Sequence, residues 1–275
     1  MRTKIIELFV PEDTVVEKTL QLNEETQLQI HVRSGAKLSL VFESNAVSQS
    51  YRVSTNIHVQ QGASLDLCDL DINGADITRT HDLHIRQEAN SQVFVQSISL
   101  ATDNNCNTTQ VDLCGEGAEL SLNGLVIADK EQHVDNHTLV KHIVPHTTSH
   151  QLFKYVLNDK AVGTYAGLVK VFPGAHHTVS EQTNRNLCAT REARMFAQPQ
   201  LEIYNDDVRC NHGSSTGQLD ESALFYMQQR GISLHEARLL LTTAFVGEVV
   251  ELVRIPALRD RLQDLVEQRL RIINR

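Results

Sequence analysis

Residues 34–40 read SGAKLSL, and the same phrase returns as QGASLDL at 61–67, EANSQVF at 88–94 and EGAELSL at 116–122. Each copy sets a small residue (Ala36, Ala63, Ala89, Ala118) just ahead of an apolar–polar alternation, and these alanines stand 27, 26 and 29 residues apart. Alternation with period 2 marks a half-buried strand, whose successive side chains point to opposite faces. A turn that recurs at a nearly fixed interval in the twenties implies coils stacked on one another, none able to bury its apolar face alone. The third copy fits least well. Similar alternation runs through QLQIHV (27–32), SLDLCDLDI (64–72), QVFVQSISL (92–100) and ELSLNGLVI (119–127), without hairpin signals or intervening helices that would build βαβ units. The pattern predicts a mainly β fold, a parallel β-helix. An antiparallel sandwich competes, but it does not demand evenly spaced turns.

The texture changes after Gly217. LDESALFYMQQRG (219–231) offers Asp220 as an N-cap and Gly231 as the residue that follows a helix. Ser233 with Glu236 makes a capping box, and Pro256 stands where a first helical residue would. Leu258, Leu262, Leu265, Val266, Leu270 and Ile273 then form one stripe. The expected organisation is a β-helix core over 1–218 and a C-terminal α-helical domain of three helices over 219–275.

Composition narrows the function classes. The chain of 275 residues carries a formal charge of −9, and it has neither a basic run to neutralise phosphates nor an apolar run long enough to span a bilayer. Neither nucleic acid nor a membrane is expected as a partner. The first 25 residues, with charges directly after a short apolar stretch, do not read as a signal peptide. Five cysteines (68, 106, 114, 188 and 210) without a CxxC fit a reducing compartment, so a cytoplasmic location is expected.

Chemistry concentrates in DDVRCNHGSSTG (206–217). GSSTG has the wrong spacing for a phosphate loop and reads as a flexible turn. His142, His146 and His150 are spaced as a helical metal face, but Pro145 and β-branched neighbours favour strands, where they would alternate. Cys68, Cys106 and Cys114 read as small packing groups. Cys210 and His212, at i and i+2, would point the same way from an extended segment and could address one ion or one sulfur atom. Two ligands do not close a site. A Cys–His nucleophilic pair, with no evident third group, and a plain polar strand end are the alternatives.

The stretch QTNRNLCATREARMFAQPQLEIYNDDVRCNHGSSTGQLDESALFYMQQRGIS (182–233) resembles the core of the SufB/SufD family of iron–sulfur cluster assembly scaffolds. HTLVKHIVPHTTSHQLFKYVLNDKAVGTYAGLVKV (137–171) extends the resemblance upstream, so that it covers 137 to about 255. DDVRCNHGSSTG is similar to the SufD branch, the corresponding SufB stretch reading more like VEHEA, and NLCATRE lacks the Asp-Ser that follows the matching cysteine in SufB. That departure leaves the part played by Cys188 open. Many SufD proteins carry an N-terminal helical region, and against them this chain reads as a shortened form.

The resemblance implies a right-handed parallel β-helix and a non-catalytic subunit of a SufBCD complex. It implies pairing with a SufB-like subunit along the β-helix edge, and docking of a SufC-like ABC ATPase on the C-terminal helices. It further implies a transient iron–sulfur cluster shared with the partner at Cys210 and His212, His212 being the stronger of the two, with none held tightly by the chain alone. A homodimer in isolation is compatible with it. A SufB-like homodimeric scaffold is the first alternative. A carbohydrate-active β-helix enzyme ranks behind, since it would need converging carboxylates and Asp206/Asp207 is the tight acidic pair of this segment.

Overall fold

The computed structural model describes residues 3–44, 46, 50–74 and 76–274. Met1, Arg2 and Arg275, the outermost residues of the two expected spans, lie outside the described residues. One sheet contains β1 (Lys4–Val10), β3 (Thr26–Val32), β5 (Ser50–Val59), β7 (Thr78–Gln87), β9 (Asn104–Leu113), β11 (His133–His142), β13 (Val162–Val171) and β15 (Arg194–Ile203). The other contains β2 (Val15–Gln21), β4 (Lys37–Ser44), β6 (Ser64–Asp71), β8 (Gln92–Ser99), β10 (Glu119–Ala128), β12 (Thr148–Leu157), β14 (Thr178–Cys188) and β16 (Val208–Gly217). Spatial order follows chain order within each sheet, so the chain alternates between the sheets and adds one strand to each per turn. The pairings are parallel throughout, for example β10 with both β8 and β12. This is the β-solenoid that the repeat predicts.

The register also explains the weak third copy. Lys37, Ser64, Gln92, Glu119 and Thr148 lie side by side, so the small-residue column reads Ala36, Ala63, Ser91, Ala118, Thr147. Ser91, not Ala89, holds the third place, and its hydroxyl donates to the Glu88 carbonyl at 2.6 Å, which lets a polar residue stand inside. The residue just before this column takes positive φ at Gly35, Gly62, Asn90 and Gly117 and again at His146. His177 carries the same backbone conformation one turn later, and its ring stacks on that of His146 at 4.7 Å.

Leu, Val and Ile from both sheets fill the space between them. A polar cluster is enclosed in the same interior. Arg79, 1% exposed, donates to both oxygens of Asp69 at 2.7 and 2.8 Å and to Asn107 Oδ1 at 2.9 Å. His81 Nδ1 lies 2.8 Å from Asp69 Oδ2. Burial alone would raise the Asp69 carboxyl, but Arg79 and His81 override it and hold it well below the usual carboxylate range.

Helices α1 (Glu221–Gln229), α2 (Leu234–Glu251) and α3 (Pro256–Ile273) close the chain. Asp220 accepts from Ser222 N at 2.8 Å, Ser233 accepts from Glu236 N at 3.2 Å, and Pro256 is the first residue of α3. The α3 stripe Leu258, Leu262, Val266, Leu270 and Ile273 is buried against outward residues of the even-numbered sheet, among them Leu70, Ile98, Leu125 and Ile127. For this reason β4, β6, β10 and β12 are buried on both faces in their second halves while alternating in their first. Arg261 with Glu43 (2.7 and 2.8 Å) and Arg269 with Asp129 (2.6 Å) tie α3 to the solenoid. Among the described residues no helix is long and apolar enough to cross a membrane.

Candidate functional site at the open end of the solenoid

Strands β15 and β16 end their sheets, so each has a hydrogen-bonding neighbour on one side only. Pro199 fits this position, because an edge strand can do without one ladder donor. Phe196, 52% exposed, projects from the same strand. The inward side chains of β15, such as Met195 and Leu201, are only partly covered, since no further coil lies on them.

GSSTG is not a turn. Residues 213–217 continue β16, in register with Thr183–Leu187 of β14. Side chains draw it into the sheet: Ser214 Oγ donates to Asn184 Oδ1 at 3.1 Å, and Asn186 Nδ2 reaches Thr216 Oγ1 at 3.2 Å. Small hydroxyl residues suit this row because the strand beneath is polar inside. The inward residues of β14 are Thr178, Ser180, Gln182, Asn184 and Asn186, each at most 4% exposed. The neighbouring strand β12 is polar at two of these places, Ser149 and Gln151, and one coil deeper β10 presents Leu120 and Leu122 there.

On this row the structure brings Cys210 and His212 together. Cys210 lies level with Ser180 and packs against the interior, and His212, two residues on, lies level with Gln182. The two side chains share the inward face, as an i, i+2 pair on a strand must, and His212 is exposed because the coil above is missing. Burial pushes the Cys210 thiol up, and a hydrogen bond with the Ser180 backbone partly opposes it. Cys188 also faces inward, packed against the interior, and burial raises its thiol as well. It follows Leu187, which pairs with Gly217, so it lies about eight residues along the row from Cys210, or roughly 26 Å at ~3.3 Å per residue. Cys188 and Cys210 therefore cannot bind one ion.

The other histidines do not assemble a metal face. His142 is fully buried, with Nδ1 2.7 Å from Thr147 Oγ1 and Nε2 2.9 Å from Ser149 Oγ. His146 sits in a turn, and His150 faces outward 3.6 Å from Glu181. Among the described residues no group of three His, Cys, Asp or Glu side chains is arranged to hold a metal ion. Asp206 and Asp207 occupy the turn ahead of β16, where Asp207 Oδ2 pairs with His177 Nδ1 at 3.0 Å. Cys68 is buried under the helices, and Cys106 and Cys114 are half-buried.

A second surface lies at the other element boundary. Helix α1 buries none of its residues and exposes Phe225 (63%) and Tyr226 (60%).

The family model for the SUF system FeS cluster assembly SufBD core domain matches residues 17–245. The chain belongs to the SufBD family of iron–sulfur cluster assembly proteins. It is 34% identical over 164 residues to the iron–sulfur cluster assembly protein SufD of Escherichia coli, a match covering 60% of this chain and 39% of that protein. A SufBD family protein of Mycobacterium leprae is 35% identical over 173 residues, covering 60% and 44%. The SufD of Bacillus subtilis is 30% identical over 165 residues, covering 60% and 37%. The match thus spans about two-fifths of the length of these relatives. The matched residues 17–245 include strands β14–β16 and the row that carries Cys210 and His212.

Sequence reasoning overlooked Gln182 and the polar row around it. The polar row itself, though not its register with His212, was signalled by TVSEQTNRN, which alternates Thr178, Ser180, Gln182, Asn184 and Asn186 at the inward parity, where ELSL of β10 is apolar.

Proposed function

We propose that this SufBD family protein is a SufD-type, non-catalytic scaffold subunit that builds its cargo cluster at a seam with a SufB-like chain. One observation carries the reading: Cys210 and His212 share the inward face of a terminal coil whose strand edges and side-chain row are uncovered. A thiolate and an imidazole suit iron, and two ligands leave the coordination unfinished. A second solenoid meeting β15 and β16 would pair the free edges and supply the remaining ligands. A site divided between two chains can also open, which a scaffold needs in order to release its cargo. Cys188 lies too far along the row to share that ion and is left to packing.

The exposed face of α1 offers a dock for a SufC-like ABC ATPase. Closure of paired ATPases gripping these helices would move the two solenoids relative to each other. The cytoplasm is the compartment that fits free thiols and this machinery. When no SufB-like chain is present, two copies meeting through the same edges give a homodimer, which gel filtration reads.

The test is co-expression with SufB-like and SufC-like chains, anaerobic purification, and absorption spectroscopy of the wild type beside Cys210→Ala and His212→Ala. His212→Ala is expected to lower cluster content and iron–sulfur enzyme activity in cells while circular dichroism stays unchanged. Normal iron–sulfur enzyme activity in cells that carry only this variant would remove His212 from the site.

A further inference from the structure

We propose that Gln182 is a positioning residue for His212, holding the imidazole by accepting one ring N–H so that the other nitrogen faces the cargo. The inference rests on the reading of His212 as a ligand, but its geometry is independent of any cluster. Four rungs between β14 and β16 carry the argument, pairing 180 with 210, 182 with 212, 184 with 214 and 186 with 216. The last two are already bonded, Ser214 Oγ to Asn184 Oδ1 at 3.1 Å and Asn186 Nδ2 to Thr216 Oγ1 at 3.2 Å. The rung at 182 and 212 is built in the same way and has its acceptor free.

The orientation of that acceptor follows from its neighbours. Gln182 Nε2 donates to the Tyr165 hydroxyl at 3.0 Å. Tyr165 has its own acceptor, Gln151 Oε1 at 3.5 Å, which also takes the Thr138 hydroxyl at 3.0 Å. The amide nitrogen of Gln182 is therefore committed to Tyr165. Its Oε1 is fully buried and without a partner among the described residues. A buried amide oxygen left unpaired costs about 1–3 kcal/mol, and the inward side chain next in its row is the His212 imidazole. Gly167 opens the space for this arrangement, because a Cβ there would lie 2.1 Å from Gln182 Nε2. His212 is exposed on β16 opposite Gln182, and a neutral imidazole carries one N–H to give. A ligating imidazole is oriented, and its tautomer fixed, by what its second nitrogen donates to.

The experiment is ¹⁵N–¹H correlation of histidine-labelled protein at about pH 8.5. The His212 signals are assigned by their disappearance in His212→Asn. The wild type is expected to hold one dominant tautomer at His212. Gln182→Met, similar in shape but without the acceptor, should convert it to a mixture of both. Tyr165→Phe, which frees the amide to flip, should do so in part. Unmoved signals from the other twelve of the 13 histidines establish that each variant is folded. A wild-type His212 that already averages its tautomers, or one unchanged in both variants, overturns the proposal. If Gln182→Met does not fold, Tyr165→Phe decides alone. Failure here would leave His212→Ala in cells as the test of the site, and a harmless His212→Ala would leave the tautomer result standing.

Discussion

Burial keeps His142 neutral. Its ring is bonded by two hydroxyls and faces no carboxylate among the described residues, and burial pushes its pKa down to about 3. In the unfolded chain the ring binds a proton from about pH 6.5 downwards. Between these values the unfolded state holds more protons, so stability falls as pH falls, by ~1.4 kcal/mol per unit. Urea unfolding at about pH 7.5 and about pH 5 should therefore cost the wild type roughly 2 kcal/mol more than His142→Gln; equal losses would contradict the buried neutral ring. Arg79 is a harder case for substitution. Arg79→Met strands the Asp69 carboxylate in the interior and is expected to cost roughly 3–5 kcal/mol, whereas Arg79→Met with Asp69→Leu should recover much of it. A single-variant loss under about 1 kcal/mol in urea melts would mean that water reaches the cluster. Neither network can be read from the chain, since Asp69 and Arg79 meet only because β6 and β7 belong to opposite sheets of one turn. The juxtaposition of Cys210 and His212 was legible, because it needs only the two-residue period of a strand. Gln182 was not, because its place under His212 depends on register with a strand 30 residues later.

At the scale of elements, what the sequence revealed was whatever short-range chemistry determines. Asp220, Ser233 and Pro256 mark their helix starts through local hydrogen bonds and a fixed φ, and all three stand where expected. GSSTG misled because Gly and Ser favour turns in isolation, while here the asparagine row of β14 supplies the partners that make a strand. Ala89 misled because the true column holds Ser91 two residues later. The docking of α3 left a trace that went unused, namely apolar residues at both parities in LVF (40–42) and LVI (125–127). Those stretches predict how the helices should respond to mutation. Leu262 is fully buried between α3 and the sheet, so Leu262→Ala should cost about 2–5 kcal/mol. Because that cluster joins helix to solenoid, the loss should appear as one shifted urea transition with its slope retained. An early separate transition, with the solenoid midpoint unmoved, would mean that 219–275 unfolds as a unit of its own.

Two of the exposed aromatic features among the described residues lie on different elements, as the proposed docking of two partners requires. Phe196 projects from the edge strand β15 beside the open coil, while Phe225 projects from α1, which buries nothing of its own. Both are exposed by more than half, so an acidic substitution at either should change stability by no more than about 0.5 kcal/mol. Each should nevertheless damage an interface, since a carboxylate placed in an apolar contact must be desolvated without a counter-charge. With SufB-like and SufC-like chains co-expressed, Phe196→Asp is expected to lose the first and keep the second on affinity purification. Phe225→Asp is expected to do the reverse. Loss of both partners in either variant would mean that assembly is concerted, and retention of both would mean that the contacts lie elsewhere. The separation has a mechanical consequence. The ATPase would pull on helices whose α3 stripe is fused to the even-numbered sheet, and β16 is the last strand of that sheet. Motion imposed at α2 and α3 would thus reach Cys210 and His212 through a continuous parallel ladder, with no flexible linker to absorb it.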